Sequence, residues 1–495
     1  MKCQHTLLFC IIFLLLMSCT VGPNYVRPPV KLPASFKEKK GDAFTSENSK
    51  HWKIPQPKDD AHRGQWWTVF NDPQLNALED ELNCHNQTIA NAIANFRQSC
   101  AIVSEARAAY FPTLAGVFNI LRQKQGGGAT SFISTSNGTT TTGTAATGST
   151  TSSPKVNNSF SAFLSANWEP DIWGLVARTV ESDLAAAQAN KALVAATRLS
   201  AQGSLAQYYF ELRAVDTDQQ LLDKTVKAYR ETLQLTRNQY ASGVVSEADI
   251  VQAQTQLEMA EGQAINNGIL RGQYEHAIAV LIGRLPSQFT ITFKPLKTSP
   301  PVIPVMVPSE WLERRPDIAQ AERLMKQANA QIGVAVAAFY PTLNLSGSGS
   351  GAAKTLARLL TYPAIGWAIG LQLAETIYDG GLREATVRAA RAGYMAQVAN
   401  YRQTILTAFQ NVEDNMVALR LLKEQSVVEN QAAAHARKAL QLVINQYKAG
   451  TVPYSSVITA QIAAYSAEKT AADVVGLEMS AAVGLIKALG GGWRV

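Results

Sequence analysis

Charge is scarce in this chain. Only 17% of its 495 residues are Asp, Glu, Lys or Arg, against about 25% in ordinary soluble proteins. The net charge of +7 is spread along the sequence with no basic block, so no nucleic-acid-binding surface is written into it. Long apolar runs are missing too. The longest, Leu7 to Met17, has 11 residues, short of the roughly 20 a transmembrane helix needs, and a multi-span helical membrane protein is excluded. Histidine stands only at positions 5, 51, 62, 85, 276 and 435, without metal-ligand spacing. No nucleophile–base motif accompanies it, so an enzyme, a metal site and a cofactor site have no residues to rest on. Of the five cysteines, Cys84 and Cys100 lie 16 residues apart in one helical pattern, about 24 Å at 1.5 Å per residue, too far for a disulfide. The apolar share, 46%, is ample for a core and excludes wholesale disorder.

The N-terminus has the layout of a secretory signal over residues 1–18: Lys2, the apolar run, then Ser18-Cys19. Leu16-Met17-Ser18-Cys19 resembles a lipoprotein cleavage box, which would leave Cys19 as an acylated N-terminus. A Pro- and Lys-rich stretch follows, read as an extended, lipid-anchored arm over 19–72.

The mature chain repeats itself. Ala-Ala-Tyr-Phe-Pro-Thr-Leu at 108–114 returns as Ala-Ala-Phe-Tyr-Pro-Thr-Leu at 337–343, an offset of 229. Asn-Gln-Tyr-Ala-Ser-Gly at 238–243 returns as Asn-Gln-Tyr-Lys-Ala-Gly at 445–450, an offset of 207. The 22 surplus residues of the first half fall in the Gly-, Thr-, Ser- and Ala-rich tract 126–153, a loop expansion. The first repeat, 73–285, reads as a helix from Pro73 to about Tyr110, strands at 112–125 and 157–172 around a loop, a long helix at 176–242 and a return helix at 246–283. After a Pro-rich linker at 286–308, the second repeat at 309–489 reads as a helix, strands at 341–350 and 363–374, a long helix at 382–449 and a return helix at 454–489, with a tail at 490–495.

Phe160, Ala162, Leu164, Ala166 and Trp168 alternate with polar or small residues, as do Ile365, Trp367, Ile369, Leu371 and Leu373. This is the pattern of lipid-facing barrel strands. The long helices carry a coiled-coil seam through Leu205, Tyr208, Leu212, Val215, Leu222, Val226, Tyr229, Leu233 and Tyr240, broken at Gln219 and Thr236. Ala433, Ala436 and Leu440 fill a weaker seam in the second repeat. Four strands cannot span a membrane alone, because an open sheet leaves unpaired edges in lipid. Two chains would make a plugged barrel of about eight strands, and three the first with a lumen, at about twelve. The expected fold is thus a mixed α and β membrane protein with two internal repeats. Four transmembrane β-strands per chain contribute to a trimeric 12-stranded β-barrel, continued by a long α-helical coiled-coil barrel.

Several segments carry a family resemblance. Trp66-Trp67-Thr-Val-Phe70-Asn-Asp72-Pro73-Gln-Leu75, Glu313-Arg314-Arg315-Pro316-Asp317-Ile318, Phe409-Gln-Asn-Val-Glu-Asp-Asn415 and Lys487-Ala-Leu-Gly-Gly-Gly-Trp493 resemble, in order, the outer membrane factors, TolC-like efflux lipoproteins of the NodT/OprM type. The resemblance implies a homotrimeric passive duct in the bacterial outer membrane, among its lipids, docked to a periplasmic adaptor and an inner-membrane pump. It implies efflux of small molecules, no reaction and no cofactor beyond the lipid on Cys19. Exit of polypeptides from a type I secretion system and a secreted helical interaction protein are the alternatives. The family's periplasmic gate, a tyrosine with downstream acids, falls here on Tyr447, Ser456 and Thr459, and neither of the last two is acidic. The first repeat offers Tyr240 and Asp249 at corresponding places, so the expected gate is a hydroxyl ring with Asp249. Adaptor docking is expected at Gly243, Val244, Val245 and Ser246, and at Gly450, Thr451, Val452 and Pro453. Arg314-Arg315-Pro316-Asp317 reads as a helix start, Trp66 and Trp67 as packing anchors, Glu413 and Asp414 as a helix surface, and Gly347, Gly349 and Gly351 as no phosphate loop.

Overall fold

The computed structural model describes residues 20–29, 36–37, 64–124, 156–296, 300–303 and 314–491. Cys19, the signal segment and the loop tract at 126–153 lie outside the described residues. Seven α-helices and four strands follow one another among the described residues: α1 (Pro73–His85), α2 (Gln87–Ala108), β1 (Thr113–Lys124), β2 (Val156–Trp168), α3 (Leu175–Ala241), α4 (Glu247–Leu281), α5 (Pro316–Ala337), β3 (Thr342–Ala353), β4 (Ile365–Ala374), α6 (Leu382–Lys448) and α7 (Tyr454–Ala488). The repeat is reproduced in element lengths. Helices α3 and α6 each have 67 residues, α4 and α7 each 35, α2 and α5 each 22, and β1 and β3 each 12.

The single helix expected from Pro73 to Tyr110 is two helices. Asp72 caps the first, its Oδ1 accepting from the Gln74 N–H at 2.9 Å, with Pro73 at the first position where it lacks nothing. The break comes at Asn86, which turns extended. Its Oδ1 accepts from the Ile89 N–H at 2.9 Å, and its Nδ2 donates to the Leu281 carbonyl at 2.7 Å. One asparagine thereby caps the start of α2 and the end of α4. No disulfide joins Cys84 and Cys100.

The chain divides into two compact units, one on residues 103–181 and 330–390 with the stretch before Tyr25, the other on 25–102, 182–329 and 391–495. In the second unit the core gathers Trp66, Trp67, Phe70, Leu75, Tyr209, Phe210, Tyr401, Met416, Met479 and Leu485, so both tryptophans are packing anchors. Arg315 pairs with Asp317 at 2.5 Å and donates to the Ala488 carbonyl at 2.8 Å, serving the start of α5 and the end of α7 together. The Glu413 carboxylate accepts the Lys37 N–H at 2.8 Å and so holds the N-terminal arm. Along the seam of α3, Leu205, Leu212, Leu222, Val226, Tyr229 and Leu233 are buried and Val215 half-buried, while Tyr208 and Tyr240 are exposed. A straight helix drifts from a 3.5-residue repeat over that length.

Buried charge pins the linker. Asp216 is fully buried and bonds Arg213 at 3.0 Å and Arg271 at 2.8 Å, while accepting the Lys294 N–H at 2.9 Å. The two guanidinium groups donate on to the Thr292 and Ile291 carbonyls, each at 2.7 Å. Extended backbone that has no sheet to join takes its hydrogen bonds from side chains of α3 and α4.

Glu79 on α1 is the opposite case: fully buried, with neither carboxylate oxygen bonded among the described residues. Desolvation by burial, reinforced by neighbouring Asp80, holds its pKa well above the ordinary 4.5. A raised folded pKa means full stability below about pH 4.5 and a growing penalty as pH rises. The Glu79→Gln variant should therefore be more stable than the parent at pH 8, by about 1–3 kcal/mol, with the gain shrinking toward pH 4. Thermal unfolding of both proteins across that range checks it; parallel pH profiles would refute it.

Candidate functional site

Two regions are candidates for function. The first is the sheet, a four-stranded antiparallel array in the order β1-β2-β3-β4. Its register aligns Ile120 with Phe160, Leu164 with Gly349 and Gly349 with Trp367. One face therefore carries Leu114, Phe118, Ile120, Phe160, Leu164, Trp168, Leu345, Trp367, Ile369 and Leu371, together with Gly347, Gly349 and Gly351, which lie inside β3 beneath the large residues of β4. The other face carries Asn119, Ser161, Ser165, Ser346, Ser348, Ser350 and Gln372, with glycine and alanine between and the apolar Val117, Leu121 and Phe163 toward β1. On a soluble sheet the apolar face would be covered. Here it is bare: Trp367 is 78% exposed and Ile369 80%. At the helix-bearing end of the strands, Tyr110, Phe111, Phe339, Tyr340 and Tyr378 stand exposed, an aromatic belt of the kind found at membrane interfaces. Indole donors brace it: Trp168 Nε1 to the Tyr110 carbonyl at 3.0 Å and Trp173 Nε1 to that of Pro341 at 2.8 Å.

The second region is the pair of hairpin tips, α3–α4 and α6–α7. Both close by one device. Gly243 (φ +75°) donates to the Tyr240 carbonyl at 2.8 Å while Val244 reaches back to that of Gln239 at 2.9 Å. Gly450 (φ +73°) and Thr451 repeat this on Tyr447 and Gln446, both at 3.0 Å. Only glycine takes that left-handed position without strain. Val244 is exposed, whereas Val245 and Val452 turn inward. Ser246 and Pro453 precede the return helices.

Four helices meet behind the tips in an apolar cluster of Leu233, Ala253, Tyr447, Tyr454 and Val457. Tyr447, 3% exposed, packs on Tyr454 with ring centres 5.5 Å apart. Its hydroxyl lies 3.3 Å from Thr236 Oγ1, whose own proton goes to the Thr232 carbonyl at 3.0 Å, so Tyr447 is the donor. Gln461 Nε2 adds a second cross-link to Thr232 at 3.3 Å. The other expected gate residues take no part in this hydrogen bond, although the Asp249 charge acts on Tyr447 and Tyr454. Thr459 bonds the Ser455 carbonyl of its own helix at 3.0 Å. Ser456 is half-buried and Tyr240 exposed. Asp249 Oδ2 accepts from the Ser246 N–H at 3.0 Å and its hydroxyl at 2.9 Å, capping α4. Thr232, Thr236 and Gln461 were not expected; the polar break at Thr236 in an apolar seam was their one signal.

Comparison with known proteins places this geometry. The family described as "Outer membrane efflux protein" matches residues 78–284 and 307–491. The chain belongs to that family. It is 30% identical over 437 residues to the pyoverdine export outer membrane protein OpmQ of Pseudomonas aeruginosa, covering 87% of this chain and 88% of OpmQ. It is 27% identical over 485 residues to the probable efflux pump outer membrane protein TtgC of Pseudomonas putida, covering 97% and 94%. The structure of the open state of the Neisseria gonorrhoeae MtrE outer membrane channel superposes with a TM-score of 0.78 at 28% identity, over 96% of this chain and 98% of MtrE. As a member of the outer membrane efflux family, the chain is an outer-membrane channel component for efflux. Its fold is that of the family's channels: a bare-faced sheet carried with long helical hairpins.

Burial raises the Tyr447 hydroxyl above its ordinary pKa of 10, so the phenol stays protonated and able to donate at neutral pH. Replacing Tyr447 by Phe or Thr236 by Val should loosen the tips by about 1 kcal/mol each, and by little more together. Amide hydrogen exchange at 443–457 reads this out; additive effects would show that the two residues do not share one bond.

Proposed function

We propose that three copies of this chain close edge to edge into a 12-stranded barrel, and that their six hairpins assemble into a periplasmic tube ending at a gated mouth. One observation carries the reading: among the described residues β1 and β4 are unpaired edges of a sheet whose bare apolar face suits lipid. Every backbone group in hydrocarbon must be hydrogen bonded, so β4 of one copy must find β1 of another, and closure removes the edge altogether. The uncharged hydroxyl and amide face then lines the lumen. The duct is passive, driven by an inner-membrane pump through a periplasmic adaptor that docks at Gly243–Ser246 and Gly450–Pro453. The exposed Val244 and the glycine-closed turns of near-identical shape support that docking.

Residues 20–24 support the lipid anchor. The Val21 N–H donates to the Trp173 carbonyl at 3.2 Å, and Arg178 holds the Val21 carbonyl at 3.0 Å and Asn24 Oδ1 at 2.9 Å. Gly22 lies so close to Gly333 that a Cβ on it would stand 2.5 Å from the Gly333 Cα. Thr20 rests on Gly174, beside the aromatic belt, where an acyl group on Cys19 would enter the bilayer. At the mouth, the Tyr447–Thr236 contact ties the second-repeat hairpin to the first and is the bond that opening breaks.

Native mass of the detergent-purified mature protein should be three times its denatured mass, with each protomer beginning at Cys19 and carrying acyl mass. A monomer stable without detergent would overturn the duct, and a trimer without acyl mass the anchor. Tyr447→Ala should raise single-channel conductance and antibiotic leakage; unchanged values would remove Tyr447 from the gate.

A further inference from the structure

The charged residues of the sheet are sorted by sign along the strands. Between Pro112 and Trp168, and again between Pro341 and Ala374, the sequence contains no Asp or Glu. The same stretches contain five cations: Arg122, Lys124, Lys155, Lys354 and Arg358. The four described ones, Arg122, Lys124, Lys354 and Arg358, lie at one end, where the two strand hairpins turn; Lys155 lies outside the described residues. Acids return only at the helix-bearing end, with Glu169, Asp171, Glu375 and Asp379.

Register also sorts the cations by face. Arg122 lies opposite Asn158 and Lys124 opposite Val156, on the parity of Phe118 and Ile120. They therefore continue the apolar face outward, off the serine-lined one. The β3–β4 connection leans the same way. Leu359 is buried over Gly351, where a Cβ would meet the Leu359 carbonyl at 2.7 Å, and Gly351 belongs to the apolar face. The connection is ordered by its own turns, Leu359 N–H to the Leu356 carbonyl and Thr361 Oγ1 to that of Arg358. Around this fold Leu360 is 78% and Tyr362 94% exposed, and Arg358 is exposed between them and Leu356. Among the described residues no carboxylate pairs with Arg122, Lys124, Lys354 or Arg358.

Cations at the margin of a lipid-facing apolar band, with exposed leucine and tyrosine beside them, fit one kind of partner. An aqueous anion has no use for the apolar neighbours, and a neutral lipid none for the charge. We propose that the hairpin end of the sheet is a binding surface for the phosphate groups of anionic lipid, the phosphorylated glycolipid class of the outer leaflet, with Arg122, Lys124 and Arg358 as phosphate contacts and Leu360 and Tyr362 set among the acyl chains. Cations near an anionic bilayer surface each add to attraction, and several together make it selective. Guanidinium supplies paired donors to phosphate oxygens. The inference rests on the barrel reading above, which puts this face against lipid.

The test uses the full-length detergent-solubilised protein, titrated with diphosphoryl lipid A and with the same lipid dephosphorylated, adducts being counted by native mass spectrometry. The parent should retain the diphosphoryl form. The triple variant Arg122→Gln, Lys124→Gln, Arg358→Gln should bind it about 100-fold more weakly, still as an intact trimer, and a variant with lysine at positions 122 and 358 should recover most of the binding. Equal binding by the triple variant, equal binding of dephosphorylated lipid, or displacement by millimolar inorganic phosphate would overturn the proposal. A chain that is not trimeric in detergent would remove the barrel and this surface together; a trimer indifferent to phosphate would remove the surface alone.

Discussion

Everything in this molecule answers to the hydrogen-bonding demand of backbone in hydrocarbon. A sheet with one bare apolar face must sit in lipid, and a sheet in lipid cannot keep open edges. The short β1–β4 order leaves two such edges per chain. The family's channels are the solution reached by a chain that supplies too few strands to close a barrel by itself.

Duplication solves the helical part. The Gly243 and Gly450 turns, and likewise those at Gly283 and Gly490, stand 207 residues apart with positive φ at each. Two hairpins of matched length follow from one ancestral plan, yet they are not equivalent at their tips. The first begins its return helix with the Ser246–Asp249 cap. The second has Pro453 instead and buries Tyr447 and Tyr454 behind it. At the tips, two neutral hydrogen bonds, Tyr447 to Thr236 and Gln461 to Thr232, and a small apolar cluster join hairpins of matched length. Such a contact is worth about 1 kcal/mol, weak enough to be exchanged for contacts with a docked partner.

The strands, long helices and glycine-ended turns were legible because each rests on a local rule: period-2 alternation, proline at helix starts and glycine at left-handed ends. The break at Asn86 was not, since Asn-Gln inside a strong helical pattern carries no stop signal; the break depends on the distant Leu281 carbonyl. The gate expectation set Ser456, Thr459 and Asp249 around Tyr447 by alignment of position alone. Within one chain, Asp249 and Thr459 are occupied by their own helix, and Tyr447 reaches Thr236, 211 residues away.

Sequence by itself determined the element plan, the repeat, the two-faced sheet and the segregation of charge along it, because these follow from side-chain chemistry at fixed chain spacing. Tertiary structure alone decided which distant groups meet: Asp216 between two arginines, Tyr447 on Thr236, Leu359 over Gly351. Long-range pairing has no period to read. It is set by where packing leaves a buried donor or acceptor in want of a partner, and that exists only once the helices and strands have been brought together.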